Sequence, residues 1–237
     1  MILYKYFPAN LNSFKSLSVK GLWCHYPNKM NDPFECLAEM KNDLSQEQIQ
    51  LLKDYVISRK GHPLKDIIYQ TDSMINEFFF SARKDLIQKN AFCALSERYD
   101  DILMWSHYAS SHTGFVVGFE FPELHSNYHF QKVRYINRLE DIDVIKIAKF
   151  IDGTDLDMSY MLSDISVKSP HWQKEEEWRI WRKESCYYIY EPEQVKELYI
   201  GINTDYDTQM LIVNNMSYFP GQVFRMEFNN NPIGLKY

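Results

Sequence analysis

Residues 91–121 read AFCALSERYDDILMWSHYASSHTGFVVGFEF, and the fold class turns on how they are parsed. Residues 92–95 read as one strand. Residues 114–121 read as another, apolar on both faces as a central strand is. Between them, residues 101–108 read as a helical turn. On the N-terminal side, residues 2–7 alternate and are rich in β-formers, so a strand is expected there. Residues 10–18 place Leu11, Phe14 and Leu17 at helical spacing, and Gly21 ends that helix. A short strand over 22–26 and a loop holding Pro27, Asn31, Asp32 and Pro33 follow. Ser45 is a good N-cap with Gln48 at the capping-box position, and a second helix over 66–89 carries an interruption.

On the C-terminal side, strands are expected over 132–135, 176–182, 197–202 and 222–228, with helices over 142–151 and 205–214. Strands and helices mix without strict alternation. The expected class is therefore α+β, with a mixed, mainly antiparallel sheet core. One domain over residues 1–237, with a helical insert at about 45–90 acting as a packing layer or a lid, accounts for the pattern.

The chain carries a net charge of −6, which argues against broad non-specific binding of nucleic acid but leaves room for a local basic groove. Cys24, Cys36, Cys93 and Cys186 never form a C-x-x-C pair, so neither a zinc signature nor a disulfide framework is expected. The N-terminus is too short and polar for a signal peptide, and no apolar run approaches a membrane span. The expected setting is the cytoplasm, away from membranes. No dinucleotide-binding glycine fingerprint, phosphate loop or G-x-S-x-G elbow is present.

Four blocks remain as candidate chemistry. Tyr4 and Lys5 on the first strand, with Asn31, Asp32 and Glu35 beyond it, place polar groups beside turns. Trp105, Ser106, His107 and Tyr108 form the second block. His107 and His112 are not at the i, i+4 spacing of a zinc helix, so His107 is read as a general acid/base or ligand contact. The third block is Lys168, Trp172, Glu175, Glu177 and Arg179. On an extended strand Glu175 and Glu177 would share a face, and their repulsion would raise one pKa and create a base. The alternative is that Lys168, Lys174 or Arg179 neutralises them on a solvated edge. The fourth, residues 197–201, reads as a core strand without chemistry.

In order, the blocks L-Y-K-Y, L-W-C-x-x-P-x-x-x-N-D-P-F-E, C-x-L-S-E, I-L-M-W-S-H-Y-A-x-x-H-x-G-F and K-x-x-x-W-x-x-E-x-E-W-R resemble a bacterial family classed as a domain of unknown function, in the twenty-nine-hundreds of its series. The likeness runs from residue 3 to about 201, and some members of that family lie near mobile or defence genes. The first strand, short helix and Gly-Leu-Trp strand also resemble, more weakly, the start of ADP-ribosyltransferase-like domains, notably the DNA-modifying toxin branch. That resemblance implies NAD as substrate. Tyr4 or Lys5 would stand where the superfamily has His or Arg, residues 105–108 in the middle, and Glu175 or Glu177 last.

The function it implies is cleavage of the nicotinamide–ribose bond with transfer of ADP-ribose to a macromolecule, nucleic acid or protein, or to water. Glu177, with Glu175 as rival, would stabilise the oxocarbenium-like centre. Trp105 and Tyr108 would stack the nicotinamide, and His107 and Arg179 would hold ribose or phosphate oxygens. A module of a defence system that binds a nucleotide or a phage component without turnover is the first alternative. A magnesium-dependent nuclease built on Asp32, Glu35, Glu175 and Glu177 is the second.

Overall fold

The computed structural model describes residues 1–32, 35–37, 43–138, 140–230 and 233–236. In chain order the strands are β1 (Ile2–Phe7), β2 (Gly21–Trp23), β3 (Ala91–Ser96), β4 (Phe115–Glu120), β5 (Phe130–Lys132), β6 (Arg134–Tyr135), β7 (Val167–Lys168), β8 (Glu177–Arg182), β9 (Tyr187–Ile189), β10 (Val195–Ile200), β11 (Gln222–Arg225), β12 (Glu227–Asn230) and β13 (Ile233–Lys236). The helices are α1 (Leu11–Ser18), α2 (Gln46–Ser58), α3 (Lys65–Ile68), α4 (Asp72–Lys89), α5 (Ile102–Tyr108), α6 (Val144–Ile151), α7 (Ser159–Ile165) and α8 (Tyr206–Asn215).

The architecture is α+β. A seven-stranded sheet runs β11-β10-β4-β1-β3-β8-β5, antiparallel throughout except for the parallel β10–β11 pair. Strand alternation sorts its side chains. Leu3, Phe7, Cys93, Leu95, Val117, Ile180 and Leu198 face the main core under α1 and α8. Tyr4, Tyr6, Val116 and Tyr199 face a second cluster with Met104 and Trp105 of α5. Phe92 and Trp181 join a third, with α7.

Asp101 caps α5, its side chain accepting from the Met104 N–H. After α5, Ser110, Ser111 and His112 have φ between 47° and 68°, a left-handed turn that non-glycine residues rarely take. Gly114 ends it, because a Cβ there would lie 2.1 Å from the Phe7 carbonyl oxygen. The helical insert has its own apolar core, in which Ile49, Leu52 and Val56 of α2 meet Ile75 and Phe79 of α4. Val144 and Ala148 of α6 complete that core, so the layer recruits a helix from outside residues 45–90.

Several expected elements divide. The helix over 66–89 is α3 plus α4, broken at 69–71. The strand over 132–135 is two, β5 on the main sheet and β6 beside β7, because Val133 donates to Glu177 while Arg134 turns to Ser166. The strand over 222–228 becomes β11 on the sheet and β12 in a separate hairpin, parted at Met226. Residues 24–26 fall outside β2, although His25 bridges Phe92. Pro33 and Phe34 of the expected turn lie outside the described residues. Among the described residues, no helix is long and apolar enough to cross a membrane.

Candidate functional site

The sheet opens between β1 and β3. β1 pairs with β4 along its whole length, from Ile2↔Glu120 to Phe7↔Phe115, but with β3 only at Tyr4↔Ser96. Further along, His25 takes the place of a β1 partner and exchanges both backbone hydrogen bonds with Phe92, at 3.0 and 2.8 Å. Lys5 reaches into the gap, its Nζ donating to the Ala94 carbonyl at 3.0 Å.

A pocket of about 160 Å³ occupies this split, walled by Tyr4, Tyr6, Trp23, Phe92 and Tyr108 and floored by Glu35, Lys168, Glu175 and Glu177. Ligand pockets commonly measure about 300–1,000 Å³, so this one is too small for a whole dinucleotide. Lys5, Tyr6, Trp23, His25 and Tyr108 also line a wider groove of about 560 Å³ that adjoins it.

The floor is a chain of buried charges. Lys168 Nζ donates to Glu175 Oε2 at 2.6 Å and to Glu177 Oε2 at 3.0 Å. Arg179 Nε donates to Glu177 Oε1 at 2.8 Å, and its NH2 group pairs with Glu35. The guanidinium also stacks over Phe92, 4.3 Å from the ring centroid. At the cleft end, Tyr108 donates to Glu175 Oε1 at 2.7 Å, and Asn31 Nδ2 donates to the Tyr108 oxygen at 3.1 Å. Three carboxylates therefore share two cations, and each ion is fixed by a partner, as burial of charge demands.

The electrostatics follow from that pairing. Burial would raise the Glu177 carboxyl, but Arg179 and Lys168 outweigh it and hold it below the usual range. At Glu35 burial wins, with Glu177 adding repulsion, and the carboxyl is raised despite Arg179. Burial would lower the Lys168 ammonium, but Glu177 and Glu175 hold it above the usual range. Burial and then the Glu175 charge push the Tyr108 hydroxyl up.

Glu175 and Glu177 converge, though not by strand alternation. β8 begins only at Glu177, Glu175 ends a short 3₁₀ turn (Pro170–Glu175), and Glu176 between them is left-handed at φ 44°. The backbone reversal turns Glu176 out to Arg98, while its two neighbours meet on Lys168. Of that pair Glu177 is held low rather than raised, and the carboxyl that burial raises is Glu35. Neutralisation by Lys168 and Arg179 does occur, but in the interior rather than on a solvated edge.

Of the residues singled out in the sequence, Tyr4, Lys5, Asn31, Tyr108, Glu175 and Glu177 line the inner pocket. His107 lines only the outer groove. Trp105 is fully buried, with Nε1 donating to the Tyr99 carbonyl at 2.6 Å, and cannot stack a ligand. Ser106 pairs with His112 at 3.0 Å, away from both pockets. Arg179 is fully buried behind Glu177, and buried Asp32 lines neither pocket.

Tyr4 is anchored by its hydroxyl to Glu197 Oε2 at 2.8 Å, so the fourth block carries a structural hydrogen bond. Trp23, His25 and Met30 belong to the wall and went unread as site residues. The signal was the alternation of Trp23 and His25 about Cys24, where Trp23 Nε1 donates to His25 Nδ1 at 3.2 Å. Among the described residues, no group of three or more His, Cys, Asp or Glu side chains is arranged to hold a metal ion. The acids of the nuclease alternative are occupied otherwise, since Lys168 and Arg179 take oxygens of Glu35, Glu175 and Glu177.

No curated protein and no solved structure matches the chain. The part that supplies Tyr108, Lys168, Glu175, Glu177 and Arg179 does have relatives: residues 104–180 match the model of the family described as Protein of unknown function (DUF2971).

Proposed function

We propose that the inner pocket receives the nicotinamide–ribose end of NAD and that the chain cleaves the bond between them, passing ADP-ribose to water or to a macromolecular acceptor, nucleic acid or protein. Such an enzyme suits a bacterial defence or toxin effector. The observation that carries the reading is Glu175: a carboxylate held in place by Lys168 and Tyr108, at the floor of a small pocket with aromatic walls. As the N-glycosidic bond breaks, its electron pair leaves with neutral nicotinamide. The positive charge that develops on the ribose is stabilised by a preorganised carboxylate. The acceptor oxygen then bonds to the anomeric carbon and loses its proton.

Glu175 is the better candidate for that carboxylate than Glu177, because its partner Tyr108 lines the pocket, whereas Glu177 is clamped between Lys168 and Arg179. Glu177 then fixes Lys168, the cation that orients its neighbour.

Incubation with NAD, alone and with a cell extract, followed by chromatography of free nicotinamide, tests the reading. The wild type is expected to release nicotinamide, and Glu175→Gln to lower the rate by about 10²–10³-fold at a temperature where its melting curve shows it still folded. Absence of release from the wild type in both conditions overturns it. The full engagement of the carboxylate oxygens also suits a second reading, a recognition cleft without turnover. Stabilisation by NAD with no nicotinamide formed supports that one.

A further inference from the structure

The outer groove has a chemistry of its own. It contains Lys5, Lys15, His25 and His107, and among its described lining residues there is no aspartate or glutamate. In a chain with 32 acidic residues and a net charge of −6, that is a sharp local inversion of sign. It also contrasts with the three carboxylates of the adjoining inner pocket.

The lysines come from two elements, Lys5 from β1 and Lys15 from α1, and Lys5 stands where the two cavities adjoin. Trp23 is 37% exposed and is braced edge-on by Tyr187, with ring centroids 4.7 Å apart. His25 accepts from Trp23 through Nδ1, and burial with Lys5 and Lys29 lowers its pKa, so its proton sits on Nε2 as a donor. Ser13, Ser16 and Ser110 add hydroxyls along the same wall. Cations, neutral donors and a braced aromatic ring, without a competing acid, are what a phosphorylated aromatic ligand requires.

We propose that the outer groove binds a nucleotide, its phosphates on Lys5 and Lys15 and its base against Trp23. The proposal rests on the reading of the inner pocket for which end of the ligand lies deeper, and extends it by placing the phosphate and base end. A mononucleotide or a single strand of nucleic acid could supply this chemistry, and the test separates them.

Binding of ADP, adenosine, inorganic pyrophosphate and oligothymidylate to the full chain is followed by tryptophan fluorescence and calorimetry, in low and high salt. ADP is expected to bind more tightly than adenosine, to weaken as salt rises, and to quench fluorescence in the wild type but not in Trp23→Leu. Lys15→Met, on an exposed helix face, is expected to weaken ADP roughly tenfold. Lys5→Met should do the same, and because Lys5 is partly buried its melting temperature is measured alongside. Lysine-dependent binding of oligothymidylate at least as tight as that of ADP assigns the groove to a strand; ADP binding without it assigns the groove to a free nucleotide. Equal affinity for ADP and adenosine, or an unchanged ADP affinity in Lys15→Met, overturns the proposal. ADP binding that depends on the lysines, without nicotinamide release from NAD, leaves the groove assigned and removes the NAD-cleaving reading. Nicotinamide release with lysine-independent ADP binding does the reverse.

Discussion

The floor of the cleft and the helical layer of α2, α3, α4 and α6 are both buried, yet by opposite chemistry. The floor packs five ionised side chains, Glu35, Lys168, Glu175, Glu177 and Arg179, so that each answers another. The layer packs Ile49, Leu52, Val56, Ile75 and Phe79 into one apolar cluster. An apolar core gains from every group removed from water. A buried charge network gains little net stability, because desolvation offsets attraction, but it tolerates few geometries. The helical layer therefore supplies stability, and the floor supplies a fixed arrangement of carboxylates.

The sharpest way to break this comparison is to remove one central charge. Arg179→Met leaves Glu35 and Glu177 facing each other without the guanidinium, and urea denaturation is expected to show a loss of about 3–5 kcal/mol. A loss under about 1 kcal/mol would mean that water reaches the floor. In the helical layer, Leu52→Ala should cost roughly 3 kcal/mol by the same measurement, through lost burial and a residual cavity. Nicotinamide release, if present, should persist in that variant while it remains folded.

Glu177→Gln sharpens the contrast through its pH dependence. The folded pKa of Glu177 lies below the unfolded one, so its contribution is complete above the unfolded carboxyl pKa and is lost as pH falls through the folded value. The stability gap between wild type and Glu177→Gln should be about 1–3 kcal/mol at pH 7 and shrink below about pH 4.5. The hydrophobic gap of Leu52→Ala should not follow that curve. A gap that widens on acidification would contradict the pairing of Glu177. The smallest effect belongs to the exposed Asp85–Lys89 pair on α4, at 2.6 Å but with side chains 58% and 73% exposed. Asp85→Asn should change stability by no more than about 0.5 kcal/mol, since solvent screens such pairs.

The sheet was largely readable from period alone. β1, β3, β4, β8 and β10 fall within two residues of where alternation and apolar runs put them, because burial on both faces writes a strong pattern. Short pieces escaped for the opposite reason. β7 and β9 have only two or three residues each, too few to show a period, and α7 lies in a stretch of mixed polarity. At the site, the residues on Lys168 were legible because three acids and three bases, Lys168, Lys174 and Arg179, crowd into residues 168–179. Their geometry was not, since the left-handed backbone at Glu176 has no signature in a glutamate. Trp105 misled for a physical reason: an aromatic residue amid polar neighbours looks like a ligand contact, yet on α5 it points to the core. His25 and the pairing of Glu35 were hidden by distance, as Phe92 and Arg179 lie far along the chain.

The position of β1 has a consequence for how the molecule comes into being. Synthesised well before its partner β4, β1 lies in the middle of the sheet, and its pairing runs from Ile2↔Glu120 to Phe7↔Phe115. Its Tyr4 hydroxyl then waits for Glu197, 193 residues later. At roughly 5–20 residues per second, β1 spends several seconds on the ribosome before β4 is made. The helices of residues 46–89 make local contacts and can take shape in that interval, whereas the split that forms the cleft cannot exist until both of its distant borders have arrived.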